Sequence, residues 1–342
     1  MINILNLSLA EFKDRLSKYG VEGFRASQVF HWIYKKGVMD FKKMVNLSET
    51  VRQAVAEHFE VAFPAVEATQ VSREDGSRKI LLRLEDDQLI ETVTIPIKDR
   101  QTVCVSSQIG CKFRCSFCAS GQKGFVRNCT TGEMIAQVLM AKSYSDSDCL
   151  THVVFMGIGE PLDNYDELMR AIRIMNAKEG MEIGARRMTI STSGLVPKIQ
   201  KLAKEGLQIE LSVSLHAPND KIRGLLMPIN KKYPVKILIP ACKQYAGATG
   251  RAISYEYVLI KGVNASRKDA EDLAKLLKAS LCKVNLIPYN PIEEFPHAAP
   301  TYPETVLFQK ILQDSRIPTT VRFSKGLDIK AACGQLRAGH EK

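Results

Sequence analysis

The chain has 342 residues, of which 45% are hydrophobic and 25% are charged, as in most globular proteins. No apolar run approaches the ~18–20 residues of a membrane-spanning helix, and the N-terminus lacks the basic start and apolar stretch of a secretory signal. We therefore expect a cytoplasmic protein with no membrane partner. Nine cysteines in a reducing compartment indicate metal binding or thiol chemistry rather than a disulfide framework. The net charge of +11 favours a nucleic-acid partner.

Residues 1–75 are predicted to form a helical accessory module, and residues 76–100 are predicted to form a connecting β-hairpin. The features behind these predictions are a capping box at Ser8 and Glu11, helical periodicity over residues 24–37 and 47–59, and β-type alternation over residues 79–97 with a turn at Asp86 and Asp87.

Residues 101–325 alternate between strand and helix patterns, which predicts a parallel sheet in an α/β fold. The predicted strands cover residues 102–107, 151–156, 186–192, 209–216, 253–260, 282–288 and 319–323. The helical patterns cover residues 132–144, 165–178, 196–206, 266–279 and 303–315. Because roughly six βα units are fewer than the eight of a closed barrel, we expect a partial (βα)6 barrel, with an open doubly wound sheet as the alternative. Residues 326–342 form a C-terminal segment.

Three cysteines stand in a CxxxCxxC array after the first of these strands, at Cys111, Cys115 and Cys118. Thiolates hold iron–sulfur clusters. Three ligands leave a fourth iron open, where the amino and carboxylate groups of S-adenosylmethionine can bind. A structural zinc site is the alternative, with Cys104 or Cys129 as the fourth ligand. The sequence lacks the two separated CxxC or HxxxH pairs that such sites usually have.

The array is similar to the signature of the radical S-adenosylmethionine superfamily, and the whole sequence resembles the RlmN/Cfr family of radical RNA methyltransferases. The segments that carry the resemblance are CVSSQIGCKFRCSFC, FMGIGEPLDN, STSGLVP, SLHAPND, PINKKY, NLIPYNP and DIKAACGQL. Pro161 in GEPLDN is closer to RlmN-type than to Cfr-type sequences. Ile158 is a departure, since many members have Met there, but the similar volume predicts little consequence. The resemblance implies the radical S-adenosylmethionine form of the partial barrel and an RNA-binding role for the helical module of residues 1–75.

The resemblance implies methylation of carbon 2 of a specific adenosine in 23S rRNA, and also in tRNA. That carbon has no lone pair, so a radical must add to it. Cys333 would first accept a methyl group as a thiolate. A deoxyadenosyl radical would then remove hydrogen from the methylated Cys333, and the resulting carbon radical would add to the adenine. Cys104 would release the product through a disulfide with Cys333, and Glu91 would be the proton acceptor.

The resemblance also implies the cofactors and their binding residues. They are a [4Fe–4S] cluster on Cys111, Cys115 and Cys118 and two molecules of S-adenosylmethionine per turnover. The residues expected to bind S-adenosylmethionine are Gly159, Glu160, Ser191, Ser214, Leu215, His216 and Asn290, and Phe117 is expected near the adenosine. The expected partners are 23S rRNA, tRNA and an electron donor such as flavodoxin, and the protein is expected to be a monomer.

Two other functions remain open: Cfr-type methylation of carbon 8, and a zinc-stabilised, non-catalytic RNA-binding protein. His216, taken alone, equally suits a core position. Helical spacing predicts that Trp32 is at least partly core, with stacking on an RNA base as the alternative. A run of basic residues without an acid is usually a solvated face, but beside the cluster it would also suit RNA phosphates; the run comprises Arg100, Lys112, Arg114, Lys123 and Arg127. Four cysteines match no catalytic position and are interpreted as packing residues or as residues without a role in the reaction: Cys129, Cys149, Cys242 and Cys282.

Overall fold

The computed structural model describes residues 1–97, 100–144 and 150–339. Cys149 lies outside the described residues. Within them, no helix has both the length and the apolar character needed to cross a bilayer.

The N-terminal module consists of three short helices on an aromatic core. Its elements are β1 (Ile2–Asn3), α1 (Leu9–Ser17), α2 (Phe24–Phe30, continued by a π-helical turn over His31–Lys35), α3 (Glu49–His58) and β2 (Phe59–Glu60), which pairs in parallel with β1. The predicted capping box at Ser8 is confirmed. Phe12 of α1 contacts the rings of Phe30 and Phe59, with centroid distances of 5.6 and 5.0 Å. These contacts join α1 and α2 to the strand that directly follows α3.

Trp32 belongs to the core of this module, as its helical spacing predicts. It is 9% exposed, and its indole nitrogen donates a hydrogen bond to the Asn46 side chain. The ammonium of Lys36 lies 4.1 Å from the centre of the ring. The indole is therefore engaged within the protein rather than presented to a nucleobase.

Four antiparallel strands follow: β3 (Ala65–Val71), β4 (Arg78–Arg83), β5 (Leu89–Ile97) and β6 (Arg100–Cys104). The predicted hairpin is confirmed as β4–β5, and Asp87 in its turn has a φ of +60°. The placement of residues 65–71 in a helical module is wrong, because they form the edge strand β3. Most of β3 is exposed, so its side chains lack a clear apolar alternation and the strand depends on pairing with β4.

A small hairpin, β7 (Gln108–Gly110) with β8 (Phe125–Asn128), encloses the cysteine loop and the short helix α4 (Ala119–Gln122). The repeating region then comprises α5 (Thr131–Ser143), β9 (Leu150–Phe155), α6 (Tyr165–Asn176), β10 (Met188–Thr192), α7 (Val196–Leu202), β11 (Glu210–Ser214), α8 (Asp220–Leu226), α9 (Val235–Thr249), β12 (Ile253–Leu259), α10 (Arg267–Leu277), β13 (Cys282–Pro288), α11 (Tyr302–Asp314) and β14 (Thr319–Val321).

Strand β6 and the strands β9 to β14 lie side by side in chain order, and each strand is parallel to its neighbours in this set. Helical crossovers join them, which confirms the partial (βα)6 barrel. The antiparallel strands β3 to β5 extend the same sheet beyond β6 to ten strands. Carboxyl ends of parallel strands meet at one edge, and functional residues of such folds collect there.

Helices α8 and α9 are absent from the predicted set. Pro240 lies inside α9. Because proline has no backbone N–H to donate to the helix, its presence in the sequence argues against a helix at this position. The helix forms because it buries one apolar face, which includes Leu238, Ile239 and Cys242. Tertiary packing therefore overrides the local signal.

Candidate active site

The cysteine loop is held in a tight bend by glycine and backbone hydrogen bonds. Gly110 has a φ of +71°, and a Cβ atom there would lie 1.8 Å from the carbonyl oxygen of Gly124. The Cys111 amide donates to that same carbonyl at 2.8 Å, and the Cys118 amide donates to the Cys115 carbonyl at 3.2 Å. All three cysteines are half-buried and free. The loop therefore folds back on itself and presents its thiols from one short stretch.

The three thiols interact electrostatically. Burial raises the pKa of Cys111 to about 12, and the charges of Cys118, Glu160 and Asp163 add to the shift. Burial raises the pKa of Cys115 well above its ordinary value, and the other two cysteines add to it. In the described part of the chain, no three His, Cys, Asp or Glu side chains form a group that would hold one metal ion. In an iron–sulfur cluster, each thiolate binds a different iron atom, so the thiolates need not converge on one ion. The three thiols of this loop fit such a cluster.

The loop after β9 carries Gly159 and Glu160. Gly159 has a φ of +103°, and a Cβ atom there would lie 2.5 Å from Cβ of Gln108. Glu160 is buried, its Oε2 accepts from the Ser193 amide at 2.6 Å, and its Oε1 accepts from the Leu162 amide at 3.0 Å. Burial raises the pKa of Glu160, and these hydrogen bonds oppose the shift. Each carboxylate oxygen keeps a lone pair with which it can accept from an ammonium group.

The remaining predicted S-adenosylmethionine residues lie at the carboxyl ends of neighbouring strands, with Ser191 on β10 and Ser214 ending β11. Leu215 and His216 follow β11 and are buried. His216 has a φ of +56°, and its Nδ1 accepts from the Val258 amide at 2.9 Å. Burial, with the nearby charge of Arg223, lowers the pKa of His216 to about 3. The ring is therefore neutral and satisfied in the core.

An apolar wall lies beside the cysteine loop. Phe117 packs against the edge of the His216 ring, with a centroid distance of 4.8 Å. Phe117 packs against an apolar cluster whose buried members are Leu226, Met227, Val258, Ile260 and Tyr289. A flat aromatic ring such as an adenine suits a wall of this composition.

Cys104 and Cys333 lie close to each other although 229 positions (333 − 104) separate them. Cys104 ends β6 in an apolar cluster with Ala331 and Leu336, which flank Cys333 in the chain. Burial raises the pKa of Cys104, and the charge of Cys333 adds to it. Cys333 is exposed when the whole residue is considered, but its thiol is buried. This burial raises the pKa of the Cys333 thiol, and the charge of Glu256 adds to the shift. The fold thus brings together the two thiols that the resemblance makes catalytic.

Asn290 and Glu91 both contact the C-terminal segment. The Asn290 Nδ2 donates to the carbonyl of Cys333 at 3.1 Å. Glu91, on β5, is 3% exposed, and its Oε2 accepts from the amides of Arg337 and Ala338 at 2.8 and 2.9 Å. Both predicted residues are therefore adjacent to the segment that carries Cys333.

Three residues of the site are absent from the predicted set. Arg223 is fully buried on α8, and burial lowers its pKa to about 10. Gln108 joins β7 to the Glu160 loop, since its Oε1 accepts from the Glu160 amide at 2.8 Å. Glu256, on β12, is buried, and its Oε2 has no hydrogen-bond partner among the described residues. The five acceptors of the Arg223 guanidinium are the carbonyls of Ser193, Ser214, Leu215 and Tyr233 and the side chain of Asn230.

The signals of these residues in the sequence are weak. A charged residue on the apolar face of a short helix, such as Arg223 in DKIRGLL, is the one hint. The free Oε2 of Glu256 is a buried acceptor, and buried acceptors in functional sites are satisfied by a ligand or water. This supports the fit of a polar ligand inside the barrel.

Within the basic run, two of the five cations form ion pairs. Lys112 pairs with Asp163 at 2.7 Å, and Arg127 pairs with Asp86 and Glu133 at 2.7 and 2.8 Å. The run contains no acid in sequence, but the fold brings acids to it. It is consequently less cationic than its sequence indicates.

Comparison with known proteins agrees with this geometry. Residues 105–277 match the Radical SAM superfamily, and residues 2–61 match the ribosomal RNA large subunit methyltransferase N-terminal domain. Proteins named "Probable dual-specificity RNA methyltransferase RlmN" from Clostridium novyi and Dictyoglomus thermophilum are 45% and 44% identical to the chain. These alignments cover 99% of this chain and 99% and 97% of theirs.

A solved structure shows the same fold over the whole chain. The crystal structure of a radical SAM methyltransferase from Sphaerobacter thermophilus matches with a TM-score of 0.95 and 47% identity, covering 99% of this chain and 100% of that one. With both family domains present and relatives aligned over nearly its full length, the chain belongs to the RlmN family of the radical S-adenosylmethionine superfamily.

Proposed function

We propose that this protein methylates carbon 2 of a specific adenosine in 23S rRNA, and also in tRNA. The observation that carries the proposal is the position of the Cys333 segment between the cysteine loop and Cys104. The Gly334 carbonyl accepts from the Ala119 amide of the loop at 2.7 Å. On its other side, Ala331 and Leu336 pack with Cys104. A thiol in this place can reach both the cofactor site and a second thiol.

Each residue has a task that its surroundings support. Cys111, Cys115 and Cys118 would hold the cluster, and Gly159, Glu160, Ser191, Ser214, Leu215, His216 and Asn290 would line the S-adenosylmethionine site. When bound, the cluster and S-adenosylmethionine supply an electron, a methyl group and a deoxyadenosyl radical. Cys333 accepts the methyl group on its sulfur and carries the carbon to the adenine. The Cys104 sulfur then bonds to the Cys333 sulfur as the bond between that sulfur and the methylene carbon breaks, so the methylated RNA is freed and a disulfide remains.

Three features of the proposal come from the family alone. They are two molecules of S-adenosylmethionine per turnover, an electron donor such as flavodoxin, and a monomeric protein in the cytoplasm. The family also makes Glu91 the proton acceptor.

The test is methylation of defined RNAs by anaerobically reconstituted protein. A 23S rRNA fragment and tRNA are incubated with S-adenosylmethionine and a reductant, digested, and analysed by mass spectrometry for 2-methyladenosine. The peptide that contains Cys333 is analysed for a methyl group in the same sample. We expect both modifications. A carbon-8 product would assign the protein to the Cfr type, and stoichiometric zinc without iron would favour a non-catalytic RNA-binding protein.

A further inference from the structure

Two exposed aromatic rings lie together at the carboxyl edge of the barrel. Tyr302 is 68% exposed and Phe323 is 63% exposed, and no other Phe, Tyr or Trp in the described ranges reaches these fractions. Their rings are nearly parallel, with an interplanar angle of 22° and 6.4 Å between their centres. This distance is near the upper end of the range for paired rings, so each ring covers little of the other. Both rings therefore present flat apolar surface to solvent.

The pair belongs to the rim of the candidate active site. Phe323 lies two residues after the carboxyl end of β14, and Tyr302 is the first residue of α11, after the loop that follows β13. Asn290, which donates to the Cys333 carbonyl, lies in that same loop. The C-terminal segment that carries Cys333 starts at Gly326, directly beyond Phe323 and the two residues that follow it. A molecule that approaches Cys333 along this edge would meet the two rings.

A second stacked pair continues the rim toward the cysteine loop. The His297 ring lies on the Phe295 ring, with 3.9 Å between their centres and an interplanar angle of 16°. His297 is exposed, whereas Phe295 is half-buried against the apolar wall that contains Phe117. The Lys261 amide holds this loop by donating to the Ala298 carbonyl at 2.9 Å. We call the two ring pairs, Phe295–His297 and Tyr302–Phe323, the aromatic rim.

Cations accompany the aromatic rim. Arg322 and Lys325 stand on either side of Phe323 in the chain, and both are exposed. Arg322 lies 3.9 Å from the buried carboxylate of Glu256, yet its side chain remains 54% exposed. The Lys261 ammonium lies 3.7 Å from Glu304, on the first turn of α11. The rim thus combines flat apolar faces with positive charge.

This combination suits unpaired nucleotides. Every nucleobase has a flat face that can stack on an aromatic side chain, and its phosphate attracts Lys and Arg. In a double helix those faces are covered by the neighbouring bases, so only unpaired nucleotides can use such rings. An acidic protein is the other partner that would suit the cations, but it would gain nothing from flat rings that an aliphatic patch does not offer.

We propose that the aromatic rim, with Tyr302 and Phe323 as its main contact, is a stacking platform for unpaired nucleotides that flank the target adenosine. The identity of the RNA rests on the proposed function. The target base must leave its stack to reach Cys333, which uncovers the faces of the bases beside it. The platform stacks on those faces in place of the lost neighbour, and Arg322 and Lys325 bind the phosphates next to them.

The first experiment measures RNA binding by the full-length protein without S-adenosylmethionine. Its probes are the 23S rRNA fragment of the methylation test, labelled with fluorescein, and the same fragment annealed to its complement, which leaves no base unpaired. Tyr302→Leu and Phe323→Leu keep apolar bulk but remove the flat face, whereas Phe323→Trp keeps it. Leu281→Ala is the control, because it removes an exposed apolar side chain directly before β13, at the opposite edge of the barrel.

We expect the dissociation constant for the unpaired fragment to rise roughly tenfold in Tyr302→Leu and in Phe323→Leu. Phe323→Trp and Leu281→Ala should bind as the unmodified protein does, and the annealed fragment should not distinguish any of the variants. Unchanged binding of the unpaired fragment by both leucine variants would overturn the proposal. An equal loss of affinity for the annealed fragment would overturn it as well, since stacking on unpaired bases would then not be the cause.

A second measurement reports stacking directly. The unpaired nucleotides beside the target are replaced one at a time by 2-aminopurine, whose fluorescence falls when the base stacks. At one or more positions the unmodified protein should lower the fluorescence and Phe323→Leu should not. The same response of both proteins at every position would contradict the platform.

Methylation assays separate RNA from a protein partner and from the proposed function itself. With limiting RNA, Phe323→Leu should slow methylation equally whether a chemical reductant or a protein electron donor supplies the electrons. A loss confined to the protein donor would make the rim a protein-docking surface and overturn the proposal. The expected binding pattern with no methylated RNA from the unmodified protein would refute the proposed function and leave the platform standing.

Discussion

Asn290 donates a hydrogen bond from its side-chain amide to the backbone carbonyl of Cys333, over 3.1 Å. Asn290 lies two residues after β13, so it belongs to the carboxyl edge of the barrel. The bond ties the residue proposed to accept the methyl group to the edge where S-adenosylmethionine is proposed to bind. The Asn290 side chain therefore contacts the C-terminal segment from the barrel, whereas the Glu91 side chain contacts it from β5.

Replacement of Asn290 by Leu should misplace Cys333 without affecting the cluster. The variant loses the donor and leaves the Cys333 carbonyl unsatisfied, which costs about 1–2 kcal/mol. We expect roughly a tenfold fall in the methylated fraction of Cys333 at early times. Peptide mass spectrometry measures this fraction, and iron content serves as the control. A fall in iron content, or full methylation of Cys333, would contradict the prediction.

Single cysteine variants should separate cluster ligands from packing residues. Alanine at Cys111, Cys115 or Cys118 removes one of three thiolates, so the reconstituted protein should lose most of its iron. Cys282→Ala is the matched control, because Cys282 is a buried strand residue outside the loop. Iron and sulfide analysis after anaerobic purification gives the answer. Iron loss in the control, or retention in any loop variant, would refute the assignment.

Gly159→Ala should displace the loop that carries Glu160. Its Cβ atom would lie 2.5 Å from Gln108 Cβ and 2.9 Å from the Gln108 nitrogen, at a φ of +103°. Backbone strain of this kind costs of order 1–3 kcal/mol, and we expect S-adenosylmethionine to bind about tenfold more weakly. Gly184→Ala is the control, since a Cβ atom there would meet nothing within 4 Å and its φ is −57°. Equal dissociation constants for the two variants would show that the loop tolerates the change.

Arg223→Met should destabilise the whole protein. Its guanidinium satisfies five oxygen acceptors, among them the carbonyls of Ser193 and Ser214 at the ends of neighbouring strands. Loss of a buried group that serves several acceptors costs about 3 kcal/mol. Denaturant unfolding should show this loss, whereas Arg267→Met, at an exposed ion pair on α10, should change the free energy of unfolding by less than about 1 kcal/mol.

The pH dependence of stability should contain a contribution from His216. The unfolded chain protonates this residue at its ordinary pKa of 6.5, but the folded protein does so only at about 3. Between these values the unfolded state binds more protons, so His216 lowers stability as the pH falls from 6.5, by up to roughly 1.4 kcal/mol per pH unit. The contribution is absent above pH 6.5.

His216→Asn tests this contribution because asparagine tolerates a positive φ and can accept from the Val258 amide. The free energies of unfolding of the two proteins are compared at pH 7 and pH 5. The unmodified protein should lose about 2 kcal/mol more than the variant over this interval. Parallel pH profiles would mean that His216 titrates normally in the folded state.

The sequence by itself determined the elements whose signals are local. The capping box at Ser8 and the turn at Asp86 and Asp87 involve residues at most three positions apart, and the structure contains both of them. The spacing of the cysteine loop is likewise local, and the family follows from segments that can be read in order along the chain. Strand β3 and helix α9 were missed because an exposed edge strand and a helix with an internal proline form through tertiary packing.

Only the tertiary structure decided what the isolated residues contact. Asp86, Glu133 and Asp163 pair with two of the five cations in a run that contains no acid of its own, and Arg223 binds carbonyls from separate strand ends. Glu91 receives two amides from a segment 246 positions or more further along the chain. Such contacts join residues whose separation in sequence bears no relation to their distance in space, so no local pattern encodes them. The packing of Ala331 and Leu336 with Cys104, together with the hydrogen bond from the Ala119 amide to the Gly334 carbonyl, places Cys333 between Cys104 and the cysteine loop.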